Sequence, residues 1–170
     1  MKLLTVAIPC YNSSEYMDKS IRSAISGGDR VEVVVVDDGS SDNTLEIANK
    51  YQKKFPDIVK VVHQENGGHG EAVNTGIKNA TGLYFKVLDS DDCLGKNALQ
   101  KVLDLLEDMV SKDAGLDMLI SNFMYDKQGA KHKKIMKYKS AMPVGRMFGW
   151  DELHFGTSQY LLMHSVIYRT

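Results

Sequence analysis

Tyr84-Phe85-Lys86-Val87-Leu88-Asp89-Ser90-Asp91-Asp92 is the stretch that decides the fold of this chain. Its first part is short, rich in β-branched and aromatic residues and preceded by a glycine, which is typical of a buried strand over residues 83–88. Three carboxylates follow at once: Asp89, Asp91 and Asp92. Because side chains alternate between the two faces of an extended chain, we expect Asp89 and Asp91 to point the same way.

Carboxylates held this close together repel each other, and a cation between them relieves the repulsion. Mg²⁺ and Mn²⁺ bind one or two carboxylates and take their other ligands from water and phosphate groups. The stretch therefore predicts a divalent metal site. The alternative is that Asp91 or Asp92 caps the helix that begins near Leu94, and we expect one of the three aspartates to lie near that cap.

Strands and helices alternate on both sides of this stretch. The predicted strands span residues 3–8, 31–36, 58–63, 83–88 and 116–121, and Pro9 is expected to end the first of them. Apolar residues at helical spacing separate the strands, and Ser13 or Ser14 can cap the first helix. The helix before the fifth strand carries its apolar stripe at Ala98, Val102, Leu105, Leu106 and Met109. The alternation predicts an α/β fold: an open, mostly parallel twisted sheet with helices on both faces.

The pattern changes after residue 121. Residues 123–126 and 133–138, joined by Gln128-Gly129, predict a small antiparallel hairpin near the C-terminus. Residues 148–155 indicate a short helix or an aromatic loop, and residues 160–168 a last strand. With 170 residues the chain is expected to form a single domain, with an α/β core over 1–121 and a separate region over 122–170.

The bulk properties exclude several classes of protein. A formal net charge of −1 gives no general attraction to nucleic acid. Cys10 and Cys93 form neither a CxxC pair nor a disulfide framework, so we interpret them as small buried residues of a protein from a reducing cytoplasm. The N-terminus has no signal-peptide pattern, and no stretch approaches the roughly 20 apolar residues of a membrane span.

Polar motifs follow three of the predicted strands: Pro9-Cys10-Tyr11-Asn12, Asp37-Asp38-Gly39-Ser40 and Asp89-Ser90-Asp91-Asp92. Parallel strands place their carboxyl ends at one edge of the sheet, where ligands bind in open α/β folds. The chain contains no GxGxxG and no GxxxxGK[ST], which excludes the usual dinucleotide and P-loop sites. Gly67-Gly68-His69-Gly70 either cradles an anion through backbone N–H groups or is a flexible turn.

These motifs, with Asn66-Gly67-Gly68 and Asn74-Thr75-Gly76, occur in an order that resembles the family 2 glycosyltransferases. The resemblance covers roughly residues 3–119 and is specific for the family, not for a sugar or an acceptor. It implies the GT-A fold and an inverting enzyme that moves a sugar from a nucleotide-diphospho-sugar, usually a UDP-sugar, to an acceptor hydroxyl. It also implies a Mn²⁺ or Mg²⁺ cofactor, a glycan or lipid-linked acceptor and a role in polysaccharide or other glycan biosynthesis.

The resemblance assigns roles by position. Pro9 and Tyr11 would line the base pocket, Asp38 would accept a hydrogen bond from the base, and Asp89 would approach the ribose or the sugar. Asp91 would bind the metal, so Asp91 and Asp92 are the predicted catalytic residues. The matching motifs add further substrate-binding residues: Asn12, Gly39, Gly68 and Ser90.

Two departures from the family pattern matter. Val73 stands where many relatives have arginine, so a basic contact to the donor is either missing or supplied by His69 or Lys86. The general base of the family lies in a later segment, which we expect beyond Thr170, with Asp151-Glu152 as the alternative within this chain. We therefore expect a truncated donor-binding half whose residues 122–170 begin the acceptor side. The missing base leaves open a non-catalytic nucleotide-sugar-binding module, and the carboxylates leave open a Mg²⁺-dependent nucleotidyltransferase.

Weaker signals have two interpretations each. Residues 131–139 hold five lysines and His132, which indicate a solvated hairpin edge or attraction to anionic lipids at the inner face of the membrane. Trp150, with Phe148 and Phe155, forms either a sugar-stacking platform or aromatic core. His63, His154 and His164 have no partner at ligand spacing, so we interpret them as structural.

Overall fold

A computed structural model describes residues 2–125, 134–157 and 159–170. The main sheet has six strands in the order β3-β2-β1-β4-β8-β5, and a separate two-stranded sheet pairs β6 with β7. The strands are β1 Leu4–Cys10, β2 Val31–Asp38, β3 Val59–Gln64, β4 Tyr84–Val87, β5 Met118–Ile120, β6 Phe123–Tyr125, β7 Lys134–Met136 and β8 Val166–Arg169. The helices are α1 Met17–Ile25, α2 Thr44–Lys54, α3 His69–Lys78 and α4 Lys96–Ser111.

The parallel part of the sheet is its buried centre. Strands β1 to β4 pair in parallel, and every residue of β1, β2 and β4 is buried, as expected for continuous apolar runs covered on both faces. Strand β8 runs antiparallel between β4 and β5. The predicted α/β fold, a mostly parallel sheet with a small antiparallel element near the C-terminus, is confirmed. The division into 1–121 and 122–170 stays a prediction.

Pro9 does not end the first strand, and that prediction is wrong. Backbone N–H groups of Tyr84 and Leu88 donate to Leu3 and Ala7, so odd-numbered residues of β1 direct their polar groups toward β4. Pro9 is the next odd-numbered residue, and β4 has already ended at Val87. Its missing N–H therefore costs no ladder hydrogen bond, and β1 continues alongside β2 to Cys10.

Helices cover both faces of the sheet. Residues of α1, α2 and α4 pack together on one face, and α3 packs on the other. The apolar stripe predicted for α4 is displaced, because the buried residues are Leu99, Leu103 and Leu106, while Ala98 and Leu105 are exposed. A stripe at i, i+4 and i+7 satisfies the helical period just as well, and packing in the core decides between the two.

The region after β5 forms a second, smaller apolar cluster. Strands β6 and β7 form the predicted hairpin, and the buried residues of the cluster are Met136, Tyr138, Ala141 and Met142. The predicted Gln128-Gly129 connection lies outside the described residues. The last strand begins at Val166, later than predicted, because Met163–Ser165 forms a 3₁₀ turn first. None of the helices in the described ranges has the length and apolar composition needed to cross a membrane.

Candidate active site

The acidic stretch after β4 is a tight turn. The backbone N–H of Asp92 donates to the carbonyl oxygen of Asp89 at 3.0 Å, so the chain reverses at this point. A turn of this kind brings residue i close to residue i+3, whereas an extended chain would have aligned Asp89 with Asp91. Helix α4 begins only at Lys96, and its N-cap residue Gly95 makes no side-chain capping bond. The alternative that Asp91 or Asp92 caps this helix is therefore wrong.

Asp89, Asp92 and His164 form the carboxylate and imidazole cluster of the site. One ligand atom from each lies within 4.8 Å of the others. His164 Nδ1 is 3.3 Å from Asp92 Oδ2 and 3.8 Å from Asp89 Oδ2. His69, the first residue of α3, approaches from the other side, with Nε2 3.1 Å from Asp89 Oδ1. The cluster thus joins β4, α3 and the 3₁₀ turn before β8.

The cluster carries excess negative charge. Partial burial raises the pKa of Asp92, His164 lowers it, and the neighbouring carboxylates of Asp91 and Asp89 raise it again. The net direction is upward, which means that the charged form of Asp92 is disfavoured in the folded chain. The side chain of Asp92 is nevertheless 51% exposed, so a cation or substrate from solution can reach it.

Asp38 sits at the end of β2 in a very different environment. It is only 2% exposed and accepts three hydrogen bonds, from Gln64 Nε2 at 2.7 Å and from the backbone N–H groups of Gly67 and Gly68 at 2.9 Å. These two N–H groups are therefore occupied within the protein. The anion cradle that the sequence suggested for them is not formed, and the glycine loop is held by Asp38 instead.

Gly39 allows the glycine loop to approach the end of β2. Its φ of +71° is a conformation that side chains rarely adopt, and a Cβ built on it would lie 2.8 Å from the backbone nitrogen of Asn66. Gly68 has a φ of +84° at the N-cap of α3. Both glycines predicted to bind substrate therefore have a conformational role in shaping the rim.

The loop after β1 contacts both the loop after β2 and the acidic turn after β4. Asn12 Oδ1 accepts a hydrogen bond from the backbone N–H of Ser41 at 2.9 Å, and its own N–H donates to Ser40 Oγ at 3.0 Å. Ser13 Oγ lies 2.9 Å from Ser90 Oγ, which links the first loop to the acidic turn. The three polar motifs therefore meet at one edge of the sheet, as predicted from the parallel strands.

Ser13 and Ser14 do not cap α1, contrary to the prediction. The N-cap residue of α1 is Tyr16, which makes no side-chain cap. The hydroxyl group of Ser13 instead donates to the carbonyl oxygen of Tyr11 in the same loop and lies beside Ser90 of the acidic turn. At the same rim Pro9 is buried, whereas Tyr11 is 54% exposed, with its ring accessible to a ligand.

The structure gives two of the histidines, which the sequence indicates to be structural, specific partners. His63 Nδ1 lies 2.7 Å from Oδ2 of the buried Asp37, which agrees with a structural role. His164 lies beside Asp89 and Asp92, a contact that its sequence spacing does not indicate. Cys93 is exposed and not buried, while Cys10 is buried, and burial with nearby Asp37 raises its thiol pKa to about 12. His164 follows an unremarkable stretch, so only its position in space identifies it.

The weaker candidates lie elsewhere. Trp150 is 70% exposed and lines a cavity of about 570 Å³ beside the edge strand β5, so it is not part of the core. Glu152 is paired with Arg146, whose hydrogen bonds lower the pKa of Glu152. This pairing makes Glu152 a poor general base. Of the lysine-rich stretch 131–139, residues 131–133 lie outside the described residues.

Comparison with known proteins identifies what this chain resembles. Residues 5–167 match the family described as Glycosyl transferase family 2. An uncharacterized glycosyltransferase of Rickettsia felis is 34% identical over 149 residues, which are 85% of this chain and 23% of that protein. The minor teichoic acid biosynthesis protein GgaA of Bacillus subtilis is 29% identical over 160 residues, which are 90% of this chain and 35% of that protein.

Solved structures agree with the sequence relatives. The crystal structure of S. aureus TarS 1–349 matches with a TM-score of 0.73 and 28% identity, over 99% of this chain and 47% of that chain. The structure of the same protein in complex with UDP-GlcNAc matches with a TM-score of 0.62 and 33% identity, over 78% of this chain and 37% of that chain. This chain therefore spans less than half the length of each of these relatives.

Proposed function

Since this chain belongs to glycosyltransferase family 2 and has its GT-A fold, we propose that it binds a UDP-sugar and transfers the sugar with inversion in a metal-dependent reaction. The observation that supports this most is the meeting of three strand-end loops around Asp89, Asp92 and His164. A donor bound across this rim would have its base near Tyr11 and its diphosphate near the carboxylates.

A divalent cation fits the residues of the cluster. Two carboxylate oxygens and one imidazole nitrogen within 4.8 Å form a donor set that suits Mn²⁺ better than Mg²⁺, which prefers oxygen ligands alone. We propose that Asp89, Asp92 and His164 hold the metal. The family pattern predicts Asp91 as the metal ligand, and that assignment stays the alternative. When bound, the metal would neutralise the negative charge that develops on the departing diphosphate.

The residues of the chain itself would position the donor. We propose that the exposed ring of Tyr11 stacks on the base, above the buried Pro9. Asp38 would act mainly through the glycine loop that it holds, because its hydrogen bonds to Gln64, Gly67 and Gly68 occupy both carboxylate oxygens. Asn12 and Ser90 would keep the adjoining loops in register through their contacts with Ser41 and Ser13.

In the reaction, an acceptor hydroxyl oxygen forms a bond to the anomeric carbon while the bond from that carbon to the diphosphate breaks. The hydroxyl proton must pass to a general base. We propose that Glu152 is not this base, because it is paired with Arg146, and a base in a later segment, beyond Thr170, stays the prediction from the family pattern.

The choice of UDP is supported by TarS, whose structure was solved with UDP-GlcNAc. A glycan or lipid-linked acceptor is supported by the name of GgaA, a teichoic acid biosynthesis protein. A cytoplasmic location, with peripheral contact to the membrane, stays a prediction from the cysteine content and from the lysines of residues 131–139.

Titration calorimetry with UDP, in the presence and absence of Mn²⁺, tests the proposal. We expect UDP to bind and Mn²⁺ to strengthen binding at least tenfold, and we expect slow hydrolysis of UDP-GlcNAc. Metal-dependent UDP binding without any hydrolysis would favour a non-catalytic nucleotide-sugar-binding module. Preference for a nucleoside triphosphate would favour a nucleotidyltransferase, and absence of UDP binding would refute the proposal.

A further inference from the structure

Lys86 is a charged residue inside the central sheet. It lies on β4, opposite Val6 of β1, three residues before Asp89. The residue is only 4% exposed, and its neighbours along the strand are the buried Phe85 and Val87. Charged residues are almost never this buried unless a specific partner holds them.

The partner of Lys86 is the turn that carries His164. Lys86 Nζ donates a hydrogen bond of 2.6 Å to the carbonyl oxygen of His164. The ladder between β4 and β8 ends at the pair Phe85 and Tyr168, because the chain before β8 turns away as the 3₁₀ turn Met163–Ser165. Beyond the last backbone pair, the hydrogen bond from the lysine side chain therefore connects β4 to this turn.

Keeping an ammonium group here is costly for folding. Burial lowers the pKa of Lys86 to about 8, against the opposing attraction of Asp92 and Asp89. The hydrogen bond to the carbonyl oxygen of His164 offsets only part of the cost of removing this charge from water. A methionine at this position would satisfy the sheet equally well, so packing alone does not explain the lysine.

We propose that Lys86 is a positioning residue that holds His164 over Asp89 and Asp92 by fixing the backbone of the Met163–Ser165 turn. The inference rests on the proposed function, because it assigns His164 to the metal-binding cluster. Residues that orient metal ligands typically change metal affinity by about 10- to 100-fold when they are removed.

Lys86→Met separates positioning from packing. We expect this variant to stay folded, because relief of the buried charge offsets the lost hydrogen bond to His164, and to bind Mn²⁺ about 10-fold more weakly in calorimetry. Lys101→Met, on an exposed position of α4, makes the same change without the contact and should alter neither the fold nor the Mn²⁺ affinity. Mn²⁺ affinity of Lys86→Met within twofold of wild type would overturn the inference.

If the wild-type chain binds no Mn²⁺, the metal site of the proposed function is refuted. NMR of the histidine rings still tests the inference about Lys86 in that case. The chain has five histidines, and a His164→Gln variant assigns the signal of His164. Lys86→Met should shift this signal and leave that of His63 in place. An unshifted His164 signal in a folded Lys86→Met chain would overturn the inference.

A measurement on the wild-type chain covers the case in which Lys86→Met does not fold. The ammonium protons of Lys86 should exchange slowly enough with water to be seen by lysine-selective NMR at pH 6, because they are buried and hydrogen-bonded. Absence of such a protected lysine signal would contradict the contact on which the inference depends.

Discussion

Two acidic segments at the same edge of the sheet use the same side chain in opposite ways. Asp38, after β2, is buried and accepts hydrogen bonds from one side-chain amide and two backbone N–H groups. Asp89 and Asp92, after β4, are partly exposed and face imidazole rings instead of backbone donors. A carboxylate whose lone pairs are satisfied inside the protein shapes a loop, while one left open to solvent is available to a ligand.

The largest effect is expected from a substitution in the partly exposed acidic segment after β4. Asp92→Asn should weaken Mn²⁺-dependent UDP binding by about 100-fold or more, because loss of a metal ligand costs several kcal/mol. Its free energy of unfolding at pH 7 should be unchanged or higher, because the raised pKa of Asp92 means that the charged form is disfavoured in the folded chain. Calorimetry and urea unfolding measure the two quantities.

Asp91→Asn is the matched control for this prediction. The structure groups Asp92, and not Asp91, with Asp89 and His164, so we expect the smaller loss for Asp91→Asn. A larger loss for Asp91→Asn would restore the assignment expected from the family pattern, in which Asp91 is the metal ligand.

Substitution of Asp38, in the buried acidic segment after β2, should change the stability of the fold. Asp38→Ala leaves the N–H donors of Gly67, Gly68 and Gln64 without their acceptor, and we expect the free energy of unfolding to fall by about 3 kcal/mol. Asp57→Ala, at an exposed position, should cost less than about 0.5 kcal/mol. Urea denaturation compares them, and equal stability of the two variants would mean that Asp38 does not hold the glycine loop.

A smaller effect is expected at Gly39, which lets Asn66 approach beside Asp38. Gly39→Ala combines a positive φ with a Cβ 2.8 Å from a backbone nitrogen, whereas Gly28→Ala has a φ of +65° and no atom within 4 Å. We expect about 1 kcal/mol for the backbone conformation in both, and about 1–2 kcal/mol more for Gly39→Ala because of the clash. Thermal or urea unfolding that shows equal losses would remove the close contact as a cause.

The smallest effect is expected at Asp42, which is exposed like Asp92 but hydrogen-bonded like Asp38. Burial alone would raise its pKa, but hydrogen bonds from Thr44 and Ser14 outweigh this and lower it. A lowered folded-state pKa stabilises the fold above the unfolded-state value near 4, and this stability is lost as the pH falls further. Because the group is exposed, the contribution is below about 1 kcal/mol.

The test compares the unfolding midpoints of wild type and Asp42→Asn at pH 7 and at pH 3. The difference should shrink at pH 3, because the carboxylate of Asp42 is by then largely protonated in the unfolded chain, whose pKa is near 4, while the folded chain still keeps it charged. A constant difference would show that the hydrogen bonds of Asp42 do not depend on its charge.

Much of this architecture was predictable because it depends on local patterns. The continuous apolar run of β2 and the placement of polar motifs directly after β1, β2 and β4 follow from residues next to each other in the chain. Local patterns failed where a neighbour in space decides. Strand β4 ends before it reaches Pro9, so Pro9 does not end β1, and packing in the core buries Leu103 of α4 while Leu105 stays exposed.

By itself, the sequence determined the α/β sheet, the order of its motifs and the family to which the chain belongs, because apolar periodicity and short motifs are properties of neighbouring residues. Only the tertiary structure decided that Asp89 lies close to Asp92, that His164 lies beside both and that the backbone of the glycine loop donates hydrogen bonds to Asp38. The physical reason is that the path of the loops decides which polar groups come close together, and their charges and hydrogen bonds depend on distance in space and not on separation along the chain.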